Sequence, residues 1–174
     1  MKLKSKWPVR RFFTFLGALY LFCAVTPLLF AESGTAKSES VFRIYDTATE
    51  TVRTVNDLDF LCGALPCEMA VSAPDEALKA QIIAIHTLYD RKRRENTGKD
   101  FDFTCDSVEK SIYTVDAGLT DEEQNRVRAL CLSVLDKEIY FENEPINACY
   151  FAISAGCTQP FENVWPEKSY PYLT

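Results

Sequence analysis

The sequence is short of the residues on which most catalytic and cofactor chemistry depends. It has one histidine, His86, and six glycines in 174 residues. A Ser–His–Asp triad would have to use that one imidazole, and no G-x-S-x-G elbow is present. No Gly-rich phosphate loop occurs. There are seven cysteines but no C-x-x-C, and no cysteine is paired with a nearby His, so neither a metal nor a cofactor is expected. Six Gly and eight Pro exclude a low-complexity chain, and 47% hydrophobic residues exclude a disordered one. Positive charge is scarce beyond the amino terminus. Residues 1–31 hold Lys2, Lys4, Lys6, Arg10 and Arg11 and no acid; the chain is −6 overall, which leaves −11 on residues 32–174. A domain that acidic is a poor nucleic-acid binder, because phosphate contacts need clustered Lys and Arg.

What is present begins with an uncharged run, Phe12–Ala31, behind five cations. Twenty such residues can cross a bilayer of roughly 30 Å as a helix. The cationic flank then stays in the cytoplasm and the rest lies outside. The expected organisation is a cytoplasmic basic segment at 1–11, a transmembrane anchor or signal segment at 12–31, a polar linker at 32–40 and one domain over 41–174. A cleaved signal peptide is the rival reading: Ala31 suits a cleavage site, whereas Leu29 is bulky where a small residue is preferred. Export would let Cys62, Cys67, Cys105, Cys131, Cys149 and Cys157 form disulfides, and Cys62 and Cys67 could bridge if their segment bends. The alternative is that they serve as small buried hydrophobes.

Within the domain, Val41–Tyr45 and Thr51–Val55 alternate apolar and polar around DTATE, a hairpin signal. Asp57–Cys67 reads as short and turn-rich. Ser72 with Asp75 predicts a capping box, and Leu78, Ile82, Ile85 and Tyr89 recur at helical spacing. The helix should end in a solvated charged stretch, Asp90–Arg94. Residues 95–104 read as a surface loop and Ser111–Val115 as a short strand. Thr120 and Glu123 predict a second capping box, with Val127, Leu130, Cys131 and Val134 facing inward. Strands at Glu138–Phe141 and Ile146–Ile153 should follow, joined by ENEP. The expected class is α+β: a single domain with two main helices packed on antiparallel strands, behind an N-terminal transmembrane helix.

Most carboxylates sit in polar runs where a solvated face is the default. Glu68 stands instead in LPCEMAVSAP. An apolar surround would raise its pKa and suit it to act as a general acid.

The segment LPCEMAVSAPDEALKAQIIAIHTLY resembles the signature of the SpoIID/LytB family, in which Glu-Met-Pro precedes EALKAQAVAARTYA. Glu68, Met69, Glu76, Ala77, Leu78, Lys79, Ala80, Gln81, Ala84 and Thr87 match it. INACYFAISAGCTQPFENVWPEKSYPYL resembles the family's second block through Ser154, Gly156, Thr158, Val164, Trp165, Pro171, Tyr172 and Leu173. The resemblance implies a membrane-anchored lytic transglycosylase that cuts peptidoglycan glycan strands during sporulation and engulfment. Its implied associates are a peptidoglycan amidase and a membrane scaffold. It implies Glu68 as the catalytic residue. His86, Tyr113, Tyr150, Ser154 and Thr158 are the substrate-binding candidates, His86 standing at the family's Arg position.

One carboxyl suffices for that chemistry. An ordinary glycosidase needs two. A lytic transglycosylase protonates the glycosidic oxygen between N-acetylmuramic acid and N-acetylglucosamine. It then takes the proton of the muramic 6-hydroxyl, which closes on C1 to give a 1,6-anhydro ring. The tethered nucleophile supplies the proximity advantage. The departures from the pattern are His86 for Arg, Ala70 for Pro and Ala155 for Gly. The chain also stops at Thr174, where the resemblance leads one to expect more, so the domain reads as truncated. A non-catalytic, glycan-binding or amidase-enhancing member of the family is the alternative. A hydrolase using Glu68 with Asp57 or Asp59 is a third reading.

Overall fold

The computed structural model describes residues 40–108, 112–152 and 156–173. The basic segment, the 12–31 span and nearly all of the linker lie outside the described residues, as do Ser111 and Ser154. No described helix is long and apolar enough to cross a membrane.

The domain opens with the expected hairpin. Strand β1 (Val41–Asp46) pairs antiparallel with β2 (Thr51–Asn56), Phe42 opposite Val55 and Ile44 opposite Arg53. Period-2 alternation buries Phe42, Ile44 and Asp46 and turns Val41, Arg43 and Tyr45 outward. A helix follows at once: α1, Asp57–Glu68. This corrects the turn-rich reading of that segment. Asn56 caps it, its side-chain oxygen accepting from Asp59 N–H at 2.8 Å. Phe60, Leu61, Ala64 and Leu65 form the buried stripe. Gly63 and Pro66 hide the helix in the sequence. The proline sits in the last turn, so the hydrogen-bond ladder it interrupts has only two residues left to run.

Helix α2 runs Asp75–Glu95 and buries Leu78, Ile82, Ile85 and Tyr89 as the spacing predicts. Its cap is Pro74 with no side-chain cap bond, so the Ser72–Asp75 box does not form. Ala73 precedes a proline, which disfavours the α conformation there and delays the helix. The 95–104 segment ends in β3 (Phe103–Cys105), which pairs parallel to β1, Ile44 opposite Phe103. The sheet order is β2-β1-β3, so it is mixed and not purely antiparallel. Buried Asp102 secures that edge. Its carboxylate accepts from Arg43 N–H at 2.7 Å and from the Arg43 guanidinium at 2.6 Å.

Among the described residues, 112–115 form no strand. Helix α3 (Asp121–Val134) carries the Thr120–Glu123 capping box and buries the four predicted positions. Strands β4 (Tyr140–Phe141) and β5 (Glu144–Pro145) make a short hairpin. Glu142 and Asn143, both at positive φ, form its turn. The second expected strand, Ile146–Ile153, is not found: β5 falls inside ENEP, because the tight turn closes two residues early, and 146–152 form no strand. A one-turn helix, α4, spans Phe161–Val164.

The α+β architecture stands, with three long helices where two were expected. The central one is α1, which packs on β1, β2, α2 and α3. Phe60 lies 4.7 Å from Phe42 and 5.0 Å from Tyr89 between ring centroids, and Tyr89 lies 4.5 Å from Phe103. These edge and tilted contacts tie sheet and helices into one core.

Candidate functional site

Glu68 is the last residue of α1 and is exposed. Its apolar sequence neighbours turn inward instead: Leu65 is fully buried, and Met69 and Val71 pack against the core. The burial that its flanks suggested is therefore absent at the carboxylate itself. The chain after it is held from α3. The Arg126 guanidinium donates to the Val71 carbonyl, to the Ala73 carbonyl at 2.9 Å and to Asp75 Oδ1 at 3.0 Å. This fork fixes the α1–α2 connection that follows Glu68.

Three side chains from elsewhere in the chain gather near the carboxylate. The Tyr150 hydroxyl lies in hydrogen-bonding range of Glu68 and is half-buried. Burial pushes its pKa up first; the Glu68 charge and hydrogen bond push the same way, so the phenol stays a proton donor. Tyr89 is likewise pushed up, by burial and then by Glu68. The Lys92 ammonium sits 4.5 Å from the centre of the Tyr89 ring. Burial lowers the Lys92 pKa, while Glu95, Cys149 and Glu68 pull it back up. The site is thus one exposed carboxylate with a phenol beside it and an ammonium in its field.

His86 is not part of that group. It is 4% exposed, with Nε2 3.5 Å from Asp57 Oδ2 and 3.7 Å from Glu138 Oε1. Asp57 begins α1 and Glu68 ends it, about 16 Å apart along a helix of 1.5 Å rise. The Asp90–Arg94 stretch, read as solvated, belongs to the same buried network. Asp90 is 3% exposed and accepts from Arg93 and from Arg94 Nε at 2.5 Å; Arg93 also bonds Asp57 at 2.9 Å.

Tyr113 is also elsewhere. Its ring packs on Gly63 and stacks 5.9 Å from Phe60. It lines a groove of about 420 Å³ with Asp59, Asn125 and Arg128, and Glu68 is not in its walls. Thr158 is exposed, and Ser154 lies outside the described residues. Of the candidates, the structure brings Tyr150 to Glu68 and separates His86 and Tyr113 from it. Lys92 and Arg126 were missed by the sequence reading. Lys92 was hidden in a charged run, and Arg126 carries no local signal.

A two-carboxylate hydrolase has no geometric support. Asp59 lies nine residues before Glu68 on one helix, about 13 Å by helical rise, and is paired with Arg128 at 2.9 Å. Paired glycosidase carboxylates stand roughly 5–9.5 Å apart. Cys62 and Cys67 cannot bridge either, because five helical residues turn them about 140° apart. Cys67 donates to the Gly63 carbonyl at 3.4 Å.

The fold and this carboxylate site define a small α+β domain in which an exposed acid closes the central helix. The chain belongs to the SpoIID family: the family model described as Stage II sporulation protein matches residues 45–134. That span holds Glu68, His86 and Tyr113 and ends before Tyr150. The chain is also similar to "Stage II sporulation protein D" of Bacillus subtilis (strain 168), 26% identical over 140 residues. These cover 75% of this chain and 40% of that protein. The protein of the same name from Bacillus amyloliquefaciens is 27% identical over the same length and shares of both chains. The chain thus matches 40% of the length of these curated relatives.

Proposed function

We propose that the protein remodels the cell wall in sporulation by cleaving peptidoglycan glycan strands, as a lytic transglycosylase acting through Glu68. The observation that carries this reading is the exposed Glu68 carboxylate at the end of α1, with the Tyr150 hydroxyl close beside it. Family membership supports the same reading. An accessible carboxyl can reach a glycosidic oxygen and give it a proton. Having given that proton to the leaving sugar, the carboxylate takes one from the muramic 6-hydroxyl. Tyr150 orients it through both transfers. Lys92 offers positive charge to the anionic side of the exchange. The domain acts outside the membrane, with residues 12–31 as the anchor and an amidase and a membrane scaffold as working partners.

The test is mass spectrometry of purified, stem-free glycan strands after incubation with the protein. Anhydro ends are expected, and Glu68→Gln should remove them while glycan binding persists. Reducing ends would indicate a hydrolase. No cleavage with retained binding would favour the non-catalytic, glycan-binding or amidase-enhancing reading. The separation of His86 from Glu68 speaks for that second reading, because nothing else at the family's Arg position reaches the acid.

A further inference from the structure

Helices α1 and α3 meet along a register that places two thiols together. The Asp59 carboxylate of α1 pairs with Arg128 of α3 at 2.9 Å. Three residues further on in each helix, nearly one turn, stand Cys62 and Cys131, whose thiols are close enough to perturb each other. Cys131 is fully buried in the core, whereas Cys62 is half-buried and forms part of the wall of the 420 Å³ groove. Both carry free thiols. One member of the pair therefore faces an entry path and the other stands directly behind it.

We propose that Cys62 and Cys131 form a redox-active dithiol, a modification site that a low-molecular-weight disulfide converts into a covalent bridge between α1 and α3. The Cys62 thiolate attacks one sulfur of the oxidant. The oxidant's S–S bond breaks, and its first thiolate leaves. Cys131 then gives up its proton and attacks the Cys62 sulfur of the mixed disulfide, releasing the second thiolate. The two cysteines are oxidised and the incoming disulfide is reduced to two thiols, so atoms and electrons balance.

The surroundings assign the order of attack. The Cys131 contact and the Arg128 charge hold the Cys62 thiol below its ordinary range, against the effect of burial. The same contact and burial push Cys131 up. The accessible thiol is thus the nucleophile and the buried one resolves. The bridge would join the helix that carries Glu68 to the helix whose Arg126 holds the next connection.

The test uses the reduced full chain and oxidised glutathione, quenched with iodoacetamide and mapped by peptide mass spectrometry without reduction. The expected product links the Cys62 and Cys131 peptides, with neither residue alkylated. Alkylation of both, or preferential linkage of either to another cysteine, overturns the proposal. Cys131→Ala should instead accumulate glutathione on Cys62, and its absence there in folded protein also overturns it. If Cys131→Ala does not fold, Cys62→Ser, at the more exposed position, serves as the second variant. It should leave Cys131 unmodified until the protein is unfolded, and glutathione on Cys131 in the folded state would refute the order of attack.

Discussion

The His86 imidazole faces the Asp57 carboxylate at 3.5 Å, at the start of the helix whose far end carries Glu68. Glu138 approaches the same nitrogen at 3.7 Å, so the ring stands between two acids contributed by different parts of the chain. Removing it leaves a cavity flanked by carboxylates. His86→Ala should cost about 2–3 kcal/mol of stability. Cleavage per folded molecule should be unchanged, because the ring does not reach Glu68. Thermal melts and glycan cleavage measured on the same preparation check this. Lost cleavage with an unchanged melt would return His86 to the active site.

Asp57 makes the same network sensitive to acid. Burial raises its pKa, but the His86 imidazole 3.5 Å away and the Arg93 charge outweigh that and hold it below its ordinary 3.8. Folding therefore favours the ionised carboxylate. That stability is complete above about pH 4 and is lost as pH falls through the lower folded value. Melting midpoints followed from pH 7 to pH 3 should fall steeply at the acid end. Asp57→Asn should melt lower at pH 7 and show a shallower acid limb. Parallel profiles for the two proteins would contradict this account.

Gly63 is a helix residue where alanine ought to help and will not. Replacing a mid-helix Gly by Ala ordinarily stabilises by about 1 kcal/mol. Here a Cβ would meet the Thr114 carbonyl oxygen and the Tyr113 ring, each at 2.4 Å. The backbone there is fixed by Thr114 N–H donating to the Gly63 carbonyl at 3.2 Å. Gly63→Ala should destabilise by about 2 kcal/mol or more through overpacking. Adding Tyr113→Ala should recover only part of the loss, because the carbonyl clash remains. A stabilised Gly63→Ala protein would show that the 113–114 segment yields easily.

These cases show which parts of the molecule a linear sequence reveals. The β1–β2 hairpin, the inner face of α2 and the whole of α3 follow local rules, and they were legible. Helix α1 was not, because Gly63 and Pro66 are read as breakers, while their acceptance depends on a tertiary neighbour and on position in the last turn. The parallel pairing of β3 depends on three residues and on a buried Arg43–Asp102 contact 59 positions apart. At the site, Glu68 stood out first by its apolar sequence surround and then by resemblance to a family, whereas Tyr150 came from that resemblance alone. Lys92 looked like part of a solvated charge run, and only folding shows that it is covered and set over Tyr89. The Asp90–Arg94 run misled for the same reason: its partners, Asp57, Ser40 and Tyr140, lie far away in sequence.

Arg126 links stability to the placement of Glu68. Its fork spans Val71, Ala73 and Asp75, the connection between α1 and α2. Arg126→Ala should cost about 1–2 kcal/mol, because the guanidinium is partly exposed and water replaces some of its bonds. Faster hydrogen exchange should be confined to residues 69–75, with a lower kcat. Arg126→Lys should rescue little, since a single ammonium cannot span two carbonyls and a carboxylate. Full rescue by Lys would mean that charge, not the fork, holds the loop.

Tyr150 offers the sharpest test of the proposed mechanism, because among the described candidates it is the one that the structure brings to Glu68. Its hydroxyl has two physical consequences there. Beside the carboxylate, it is placed to donate to it and so to restrict which oxygen faces the substrate. It also remains protonated, because burial and the adjacent negative charge both push its pKa above the ordinary phenol value of 10. Tyr150→Phe keeps the half-buried ring and removes only the donor. The melt should change by less than about 1 kcal/mol, within the net worth of one hydrogen bond. Cleavage should fall roughly 10- to 100-fold through kcat, with glycan affinity nearly unchanged, if the bond matters more as charge moves on Glu68 than in the resting complex. The combination with Glu68→Gln should be no worse than Glu68→Gln alone, because the tyrosine acts through that carboxylate. Wild-type cleavage by Tyr150→Phe would remove the residue from the mechanism. An additive double variant would show that Tyr150 touches the glycan directly and does not work through Glu68.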